Sequence, residues 1–295
     1  MTTRDDIDII CIGSVLWDVI GRTSLPLGLG NDKPGYITRV PGGVALIVAM
    51  TLRRLGLRPA LISAVGTDPE GCTLEAACAE MGLITQYLLR DPELPTDQYM
   101  AIESQGNLVA AIADAHSLEA AGAGILAPLR DGRLGSDARP WTGLVAIDGN
   151  LTGDLLAEIA ADPAFGAADL RLAPASPGKV RRLLPLLAHP RATLYVNCEE
   201  AGLLTETEPA TAIEGAEALL AAGALRVLVT QGSGLAVEAS AAGMVTRRPP
   251  QVAPIRITGA GDTFMAAHIA AELRGLTGAD AVEAGLSAAA AYVAG

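Results

Sequence analysis

The chain has 295 residues, half of them apolar and only 3% aromatic, so it can bury a large core but must build it from aliphatic side chains. A formal charge of −12, a pI near 4.7 and the scarcity of aromatic platforms argue against a nucleic-acid partner. Lys33 and Lys179 are the only two lysines, so an anionic cosubstrate must be held by local N–H groups and a cation rather than by a phosphate-loop lysine.

In chain order, Ile7 to Ile12 reads as a short buried strand ended by Gly13. The wider apolar run from Ile9 to Trp17 follows Asp5, Asp6 and Asp8 rather than a basic segment, which makes it a strand and not a signal peptide. Val44 to Leu55 predicts a helix stopped by Gly56, followed by a strand over Ala60 to Val65. A second helix runs from about Thr73 to Met81 and stops at Gly82. Gln98 to Ser104 and Leu108 to Ala113 flank Gln105-Gly106-Asn107, a hairpin signal. Leu144 to Ile147, Leu194 to Val196 and Arg226 to Thr230 are further short apolar runs separated by helical stretches. A second hairpin is expected from Leu235 to Thr246 around Ala242-Gly243. Strands alternating with helices imply βαβ units and a mainly parallel sheet covered on both faces. The first hairpin and the Pro/Gly-rich stretch Leu25 to Gly43 would form a small accessory sheet beside it.

Cys11, Cys72, Cys78 and Cys198 show neither C-x-x-C spacing nor a cluster of histidines, so they read as reduced thiols of a cytosolic protein with no metal site of their own. No stretch approaches the length of a transmembrane span. His116, His189 and His268 form no cluster; His268 lies within the expected final helix, and none is assigned a catalytic role.

The most informative segment is Thr258-Gly259-Ala260-Gly261-Asp262-Thr263, which runs straight into an apolar helix from Phe264. Glycines around a small residue let the backbone approach a ligand, and a helix beginning there adds unpaired N–H donors and the positive end of its dipole. A carboxylate at such an anion site would repel phosphate. Its presence makes sense if Asp262 accepts a proton from a hydroxyl that then attacks phosphorus. A helix-capping Asp after a Gly-rich turn is the plainer reading of these residues alone.

This junction resembles the C-terminal signature of the ribokinase-like (PfkB) carbohydrate kinases, and further matches follow in order along nearly the whole chain. The resemblance implies a three-layer α/β/α fold with a mainly parallel central sheet and a small β-sheet lid. It implies one domain over 1–295, with lid segments at about 16–40 and 97–114. It implies that Gly259, Ala260 and Gly261 form the anion hole and that Asp262 is the catalytic base. Asp18, beyond the first strand, would bind sugar hydroxyls, and Pro41-Gly42-Gly43 resembles the N-terminal G-G signature, where Gly42 and Gly43 let substrate approach the backbone. The family has Asn where this chain has Ile47, so the amide's hydrogen bonds to substrate are missing. Asn197-Cys198-Glu199-Glu200 matches N-x-x-E; Glu200 would hold Mg²⁺ through water with Asn197 beside it, and Glu199 would be a solvated neighbour. Thr230-Gln231-Gly232-Ser233-Gly234 resembles the nucleotide-side loop, with Thr230, Gly232 and Gly234 next to ATP.

Within the family, several segments resemble pseudouridine kinases: Asn31-Asp32-Lys33-Pro34-Gly35, Leu94 to Tyr99, Asp148-Gly149-Asn150-Leu151, and Pro174-Ala175-Ser176-Pro177-Gly178-Lys179. Ala113 to Ser117 matches their pattern only loosely, and Arg256 at the opening of the last signature speaks against a ribokinase-like monovalent-cation site. The expected activity is ATP- and Mg²⁺-dependent phosphorylation of pseudouridine in the cytoplasm, with a homodimer formed through the lid. Another nucleoside or a free sugar is the alternative acceptor, and a non-catalytic sensor that kept the fold is the alternative class. A nicotinamide enzyme is disfavoured, because Gly13 begins no G-x-G-x-x-G. The chain ends at Gly295, earlier than the resemblance leads one to expect.

Overall fold

The protein is described by a computed structural model covering residues 3–255 and 258–295. Its strands are β1 (Ile9–Ile12), β2 (Leu16–Thr23), β3 (Tyr36–Gly42), β4 (Pro59–Ile62), β5 (Ala64–Gly66), β6 (Leu89–Asp91) and β7 (Gln98–Ser104). They continue as β8 (Asn107–Asp114), β9 (Leu144–Asp148), β10 (Asp169–Ala173), β11 (Ala192–Asn197), β12 (Arg226–Thr230), β13 (Ala236–Ser240) and β14 (Gly243–Arg247). Eight form one sheet in the order β14-β13-β12-β11-β10-β9-β1-β4. The six from β4 to β12 pair in parallel, and the hairpin β13–β14 closes one side antiparallel.

Alternation along each parallel strand sends side chains into two cores. Ile10, Ile12, Val145, Ile147, Leu170, Leu172 and Val227 pack under one helical layer. Ile9, Cys11, Leu61, Leu144, Ala146 and Leu228 pack under the other, against Leu46, Leu52 and Ile269 of two helices. Both layers are aliphatic, as the composition requires. Each fully buried Leu or Ile contributes roughly 1.5–3 kcal/mol over leaving it in water.

Several boundaries differ from the expectation. The apolar run from Ile9 to Trp17 is two strands, because Gly13 at φ 147° turns the chain out of the main sheet and β2 joins another. Ala60 to Val65 also divides, at Ser63: β4 stays in the main sheet, while β5 pairs with β6. The helix expected from Thr73 begins at Pro69, where Asp68 caps it by accepting a hydrogen bond from the Gly71 N–H at 2.7 Å. The C-terminal helical stretch is two helices, Ala260–Leu273 and Gly278–Ala294, so His268 lies in the penultimate one.

The second sheet has the order β3-β2-β7-β8 and stands out from the core as a lid. Its register places Asp18 beside Val40 and Tyr99 on one face, and Ile37, Met100, Ile102 and Ile112 on the other. No described helix is long and apolar enough to cross a membrane.

Candidate active site

In a parallel sheet every strand delivers its carboxyl end to the same edge, so residues far apart in sequence meet there. Ser14 follows β1, Asp148 ends β9, Asn197 ends β11 and Thr230 ends β12, and Asn197 and Thr230 are register partners. Asp148 is buried and accepts four hydrogen bonds: from the Ser14 N–H (2.8 Å), the Ser14 hydroxyl (2.8 Å), the Ala45 N–H (3.0 Å) and the Asn150 N–H (2.8 Å). It thereby ties the turn after β1 to the start of helix Val44–Arg54. Its carboxylate fills the space that a Cβ at position 13 would need, which requires glycine there. Asp148 was part of a recognised motif, but nothing local in the sequence shows it as the hub of these turns.

Asp18 is the third residue of β2, half-buried, and burial pushes its carboxyl up to about 6. On the neighbouring strand, Gly42 leaves room for that carboxylate: a Cβ at position 42 would overlap it. Gly43 has φ 95°, and a Cβ there would lie 2.5 Å from the Ser14 carbonyl oxygen. The Gly-Gly pair is therefore a steric requirement of the approach between β1, β3 and the helix. Ile47 sits one turn into that helix, half-buried, with its N–H donating to the Gly43 carbonyl at 2.8 Å.

Gly259, at φ 87°, starts helix Ala260–Leu273, and no side chain caps it. The helix keeps its N-terminal donors open for an anion. Tyr292 fixes the turn by donating to the Thr258 carbonyl (3.0 Å), and Thr263 donates to the Gly259 carbonyl (2.8 Å). Asp262 keeps some surface open to the crevice but is closely surrounded by protein. Its carboxyl is pushed up to about 7, first by desolvation and then by the negative charges of Asp148, Glu200 and Asp18. Three carboxylates from distant parts of the chain thus act on Asp262.

Asn197 and Glu200 form a reciprocal capping box, each accepting from the other's backbone N–H at 2.8 Å. Burial raises the Glu200 carboxyl, and neighbouring Glu199, which is exposed, adds to the rise. The box engages one Glu200 oxygen, and among the described residues the other has no hydrogen-bond partner. Among the described residues no three His, Cys, Asp or Glu groups are placed to hold a metal directly. A hydrated Mg²⁺ fits this hard oxygen set, because it keeps several of its own waters. After Thr230, the Gln231 side chain bonds to Ala210 and Ala212, while Gly232 (φ 54°) and Gly234 carry no bulk. The structure thus places Asp18, Gly42, Gly43, Asn197, Glu200, Thr230, Gly232, Gly234 and the Gly259–Asp262 turn on the carboxyl edge of the sheet or beside it. The Arg256 position lies outside the described residues. His116 is exposed beside Asp114, His189 is remote from the edge, and His268 is fully buried in the core.

The chain matches the family model described as pfkB family carbohydrate kinase over residues 6–294. It is 33% identical over 107 residues to pseudouridine kinase of Escherichia coli (strain K12), covering 36% of this chain and 34% of that enzyme. It is 28% identical over 94 residues to a fructokinase of Vibrio alginolyticus, covering 24% of this chain and 31% of that enzyme. The chain therefore spans about a third of the length of these two relatives in each match. Its fold is similar to that of a carbohydrate kinase from Agrobacterium tumefaciens, with TM-score 0.80, 26% identity, and coverage of 96% of this chain and 90% of that one.

Proposed function

The chain belongs to the pfkB family of carbohydrate kinases, and from that premise we propose that it transfers the γ-phosphoryl group of ATP to a hydroxyl of a small sugar or nucleoside. The acceptor proposed is pseudouridine, phosphorylated on its 5′-hydroxyl. The observation that carries the reading is Asp262, a carboxyl raised to about 7, placed at the uncapped start of a helix. A base should titrate near the working pH, and an anion should sit on open N–H donors. Both needs meet in one turn.

In the proposed reaction Asp18 accepts hydrogen bonds from the acceptor's hydroxyls and orients it over Gly42 and Gly43. Asp262 takes the proton from the attacking hydroxyl. The acceptor oxygen bonds to the γ-phosphorus while the bond to the bridging oxygen breaks, and that electron pair leaves with ADP. The N–H groups at Gly259, Ala260 and Gly261 bind the oxygens that gain charge. Thr230, Gly232 and Gly234 line the nucleotide side beside Asn197. Bound Mg²⁺, positioned by Glu200 through water, supplies charge neutralisation for the phosphates.

Pseudouridine is favoured by the match to a pseudouridine kinase and by the Asp148-Gly149-Asn150-Leu151 and Pro174 to Lys179 segments. A different nucleoside or a free sugar is the second reading, favoured by half-buried Ile47, whose side chain can make no hydrogen bond. The four-carboxylate site with its raised Asp262 speaks against a sensor without turnover. The working location proposed is the cytoplasm, and the state proposed is a homodimer through the lid, where Ile37, Ile112 and Met100 are 80, 69 and 50% exposed on one face. Purified protein with Mg²⁺ and ATP should be screened for ADP release on pseudouridine, uridine, ribose and fructose. Pseudouridine turnover is the expected result. Turnover of another acceptor alone would reject the substrate, and turnover of none would reject the kinase reading.

A further inference from the structure

We infer that Lys179 is a catalytic residue whose ammonium contacts the phosphoryl group in transit; the inference rests on the kinase reading above. Three observations carry it. Lys179 is one of two lysines in a chain with 33 acidic residues, and among the described residues it forms no ion pair, although most arginines do. Its Nζ donates instead to the Asn150 Oδ1 at 3.0 Å, and Asn150 in turn donates from Nδ2 to the Ser14 hydroxyl oxygen at 2.9 Å. Ser14 is bonded to Asp148, so the ammonium is tied to the turns that shape the site, and among the described residues two of its three N–H donors stay uncommitted.

Strand order says where those donors are. Asp18 and Gly42-Gly43 belong to the β1 side of the sheet edge, and Asn197 and Thr230 stand at the ends of β11 and β12. Between them lie only β9 and β10. Asn150 follows β9, Lys179 follows β10, and their loops pack closely, with the Gly149 N–H donating to the Ala173 carbonyl at 2.9 Å. A phosphoryl group moving from the nucleotide half to the acceptor half passes over these two loops. Arg182 donates to the Asn150 carbonyl (3.1 Å) and the Leu151 carbonyl (3.3 Å), which fixes the loop under Lys179. The carboxylates Asp18, Asp148, Glu200 and Asp262 repel a phosphate, and the Lys179 ammonium adds a side-chain cation to the open helix N–H donors that attract it. As the acceptor oxygen bonds to phosphorus and the bridging oxygen leaves with ADP, the ammonium stabilises the equatorial oxygens while the proton goes to Asp262.

The two-lysine composition provides a direct test. Wild-type protein would be treated with limiting acetic anhydride, and acetylation of Lys179 and Lys33 read by peptide mass spectrometry. The non-hydrolysable β,γ-imido analogue of ATP with Mg²⁺ should slow acetylation at Lys179 several-fold, Mg²⁺-ADP should not, and exposed Lys33 should react equally throughout. In parallel, Lys179→Met should lower kcat by about a hundredfold with acceptor KM and melting temperature little changed, and Lys179→Arg should restore part of kcat. Nucleotide binding with no γ-phosphate-dependent protection of Lys179, or wild-type kcat in Lys179→Met, would overturn this inference alone. If neither nucleotide shifts the melting temperature of wild-type protein and no acceptor is turned over, the kinase reading falls and this inference with it.

Discussion

Asp262→Asn is expected to act on activity and stability in opposite directions. The carboxyl lies at about 7 in the folded protein against 3.8 for an ordinary aspartate. A folded-state rise means that the fold prefers the neutral acid, so the charged form works against folding. The penalty is absent below pH 4, grows as pH rises through the window between the two values, and is complete above about pH 7. A displacement of 7 − 3.8 corresponds to about 4 kcal/mol at pH 8 and to less than half of that at pH 5. For 295 residues, an unfolding entropy of about 2 cal/mol/K per residue converts 4 kcal/mol into a rise of roughly 7 °C as the upper limit. Asparagine carries no charge at any of these pH values. Differential scanning fluorimetry should therefore show the variant melting several degrees above wild type at pH 8, with the gap closing toward pH 4. Turnover should fall about a hundredfold to ten-thousandfold, while Mg²⁺-ATP affinity is kept or improved by removal of a nearby negative charge. Wild-type kcat/KM should rise tenfold per pH unit up to about 7 and then level. A variant that melts no higher than wild type at pH 8, or one that keeps kcat, would refute the reasoning.

Glu200→Gln should raise the Mg²⁺ concentration needed for half-maximal rate and lower kcat while leaving acceptor KM unchanged; an unaltered Mg²⁺ dependence would remove Glu200 from the metal's surroundings. Ile47→Asn should lower KM for pseudouridine by roughly tenfold to a hundredfold, the equivalent of about 1–3 kcal/mol for one restored hydrogen bond, in steady-state assays against uridine, ribose and fructose. Gly42→Ala would drive a methyl group into the Asp18 carboxylate, so acceptor KM should rise sharply with nucleotide affinity intact, measured by the same assays and by titration calorimetry. Ile112→Asp places a charge in the exposed apolar face of the lid and should give a monomer by light scattering if that face joins two copies.

The parts of this site that were legible in the sequence are those whose requirement is local. Gly42, Gly43 and Gly259 announce themselves because a turn or a close backbone approach tolerates little else. Asp148 was not legible as a hub: its partners Ser14 and Ala45 are more than a hundred positions away, and only the parallel pairing of β1 with β9 brings them together. The divisions at Gly13 and Ser63 were hidden for a different reason. Both halves of each run are apolar, so periodicity alone cannot show that one half pairs in the main sheet and the other elsewhere. Nor does the sequence show that Asp148, Glu200 and Asp18 come near enough to raise the Asp262 carboxyl, since that effect is a property of distance in space.

The helix that carries Asp262 illustrates how such a site is held. Its N-terminal N–H groups must stay uncapped to receive an anion, so the anchoring there is limited to the bonds that Thr263 and Tyr292 make to carbonyls of the turn. A stronger hold comes from the other end. Glu272 in the last turn accepts from Arg171 and from Arg226, the latter at 2.5 Å, and Arg226 also meets Glu238 at 2.6 Å. Arg171 is paired with Asp169 and donates to the Tyr195 hydroxyl at 3.1 Å, and that hydroxyl lies 2.9 Å from Nδ1 of buried His268. Two guanidiniums and three carboxylates on β10, β12, β13 and the helix thus form one network at the far end from the reaction. A buried ion network of this kind adds little net stability over an apolar packing of the same volume, but losing any one member leaves a charge without its partner. Its directional bonds fix the rotation and depth of the helix against the sheet at the end opposite Asp262. The acidic site and the basic clamp are two ends of the same element: the clamp supplies the hold that the open N-terminus must give up.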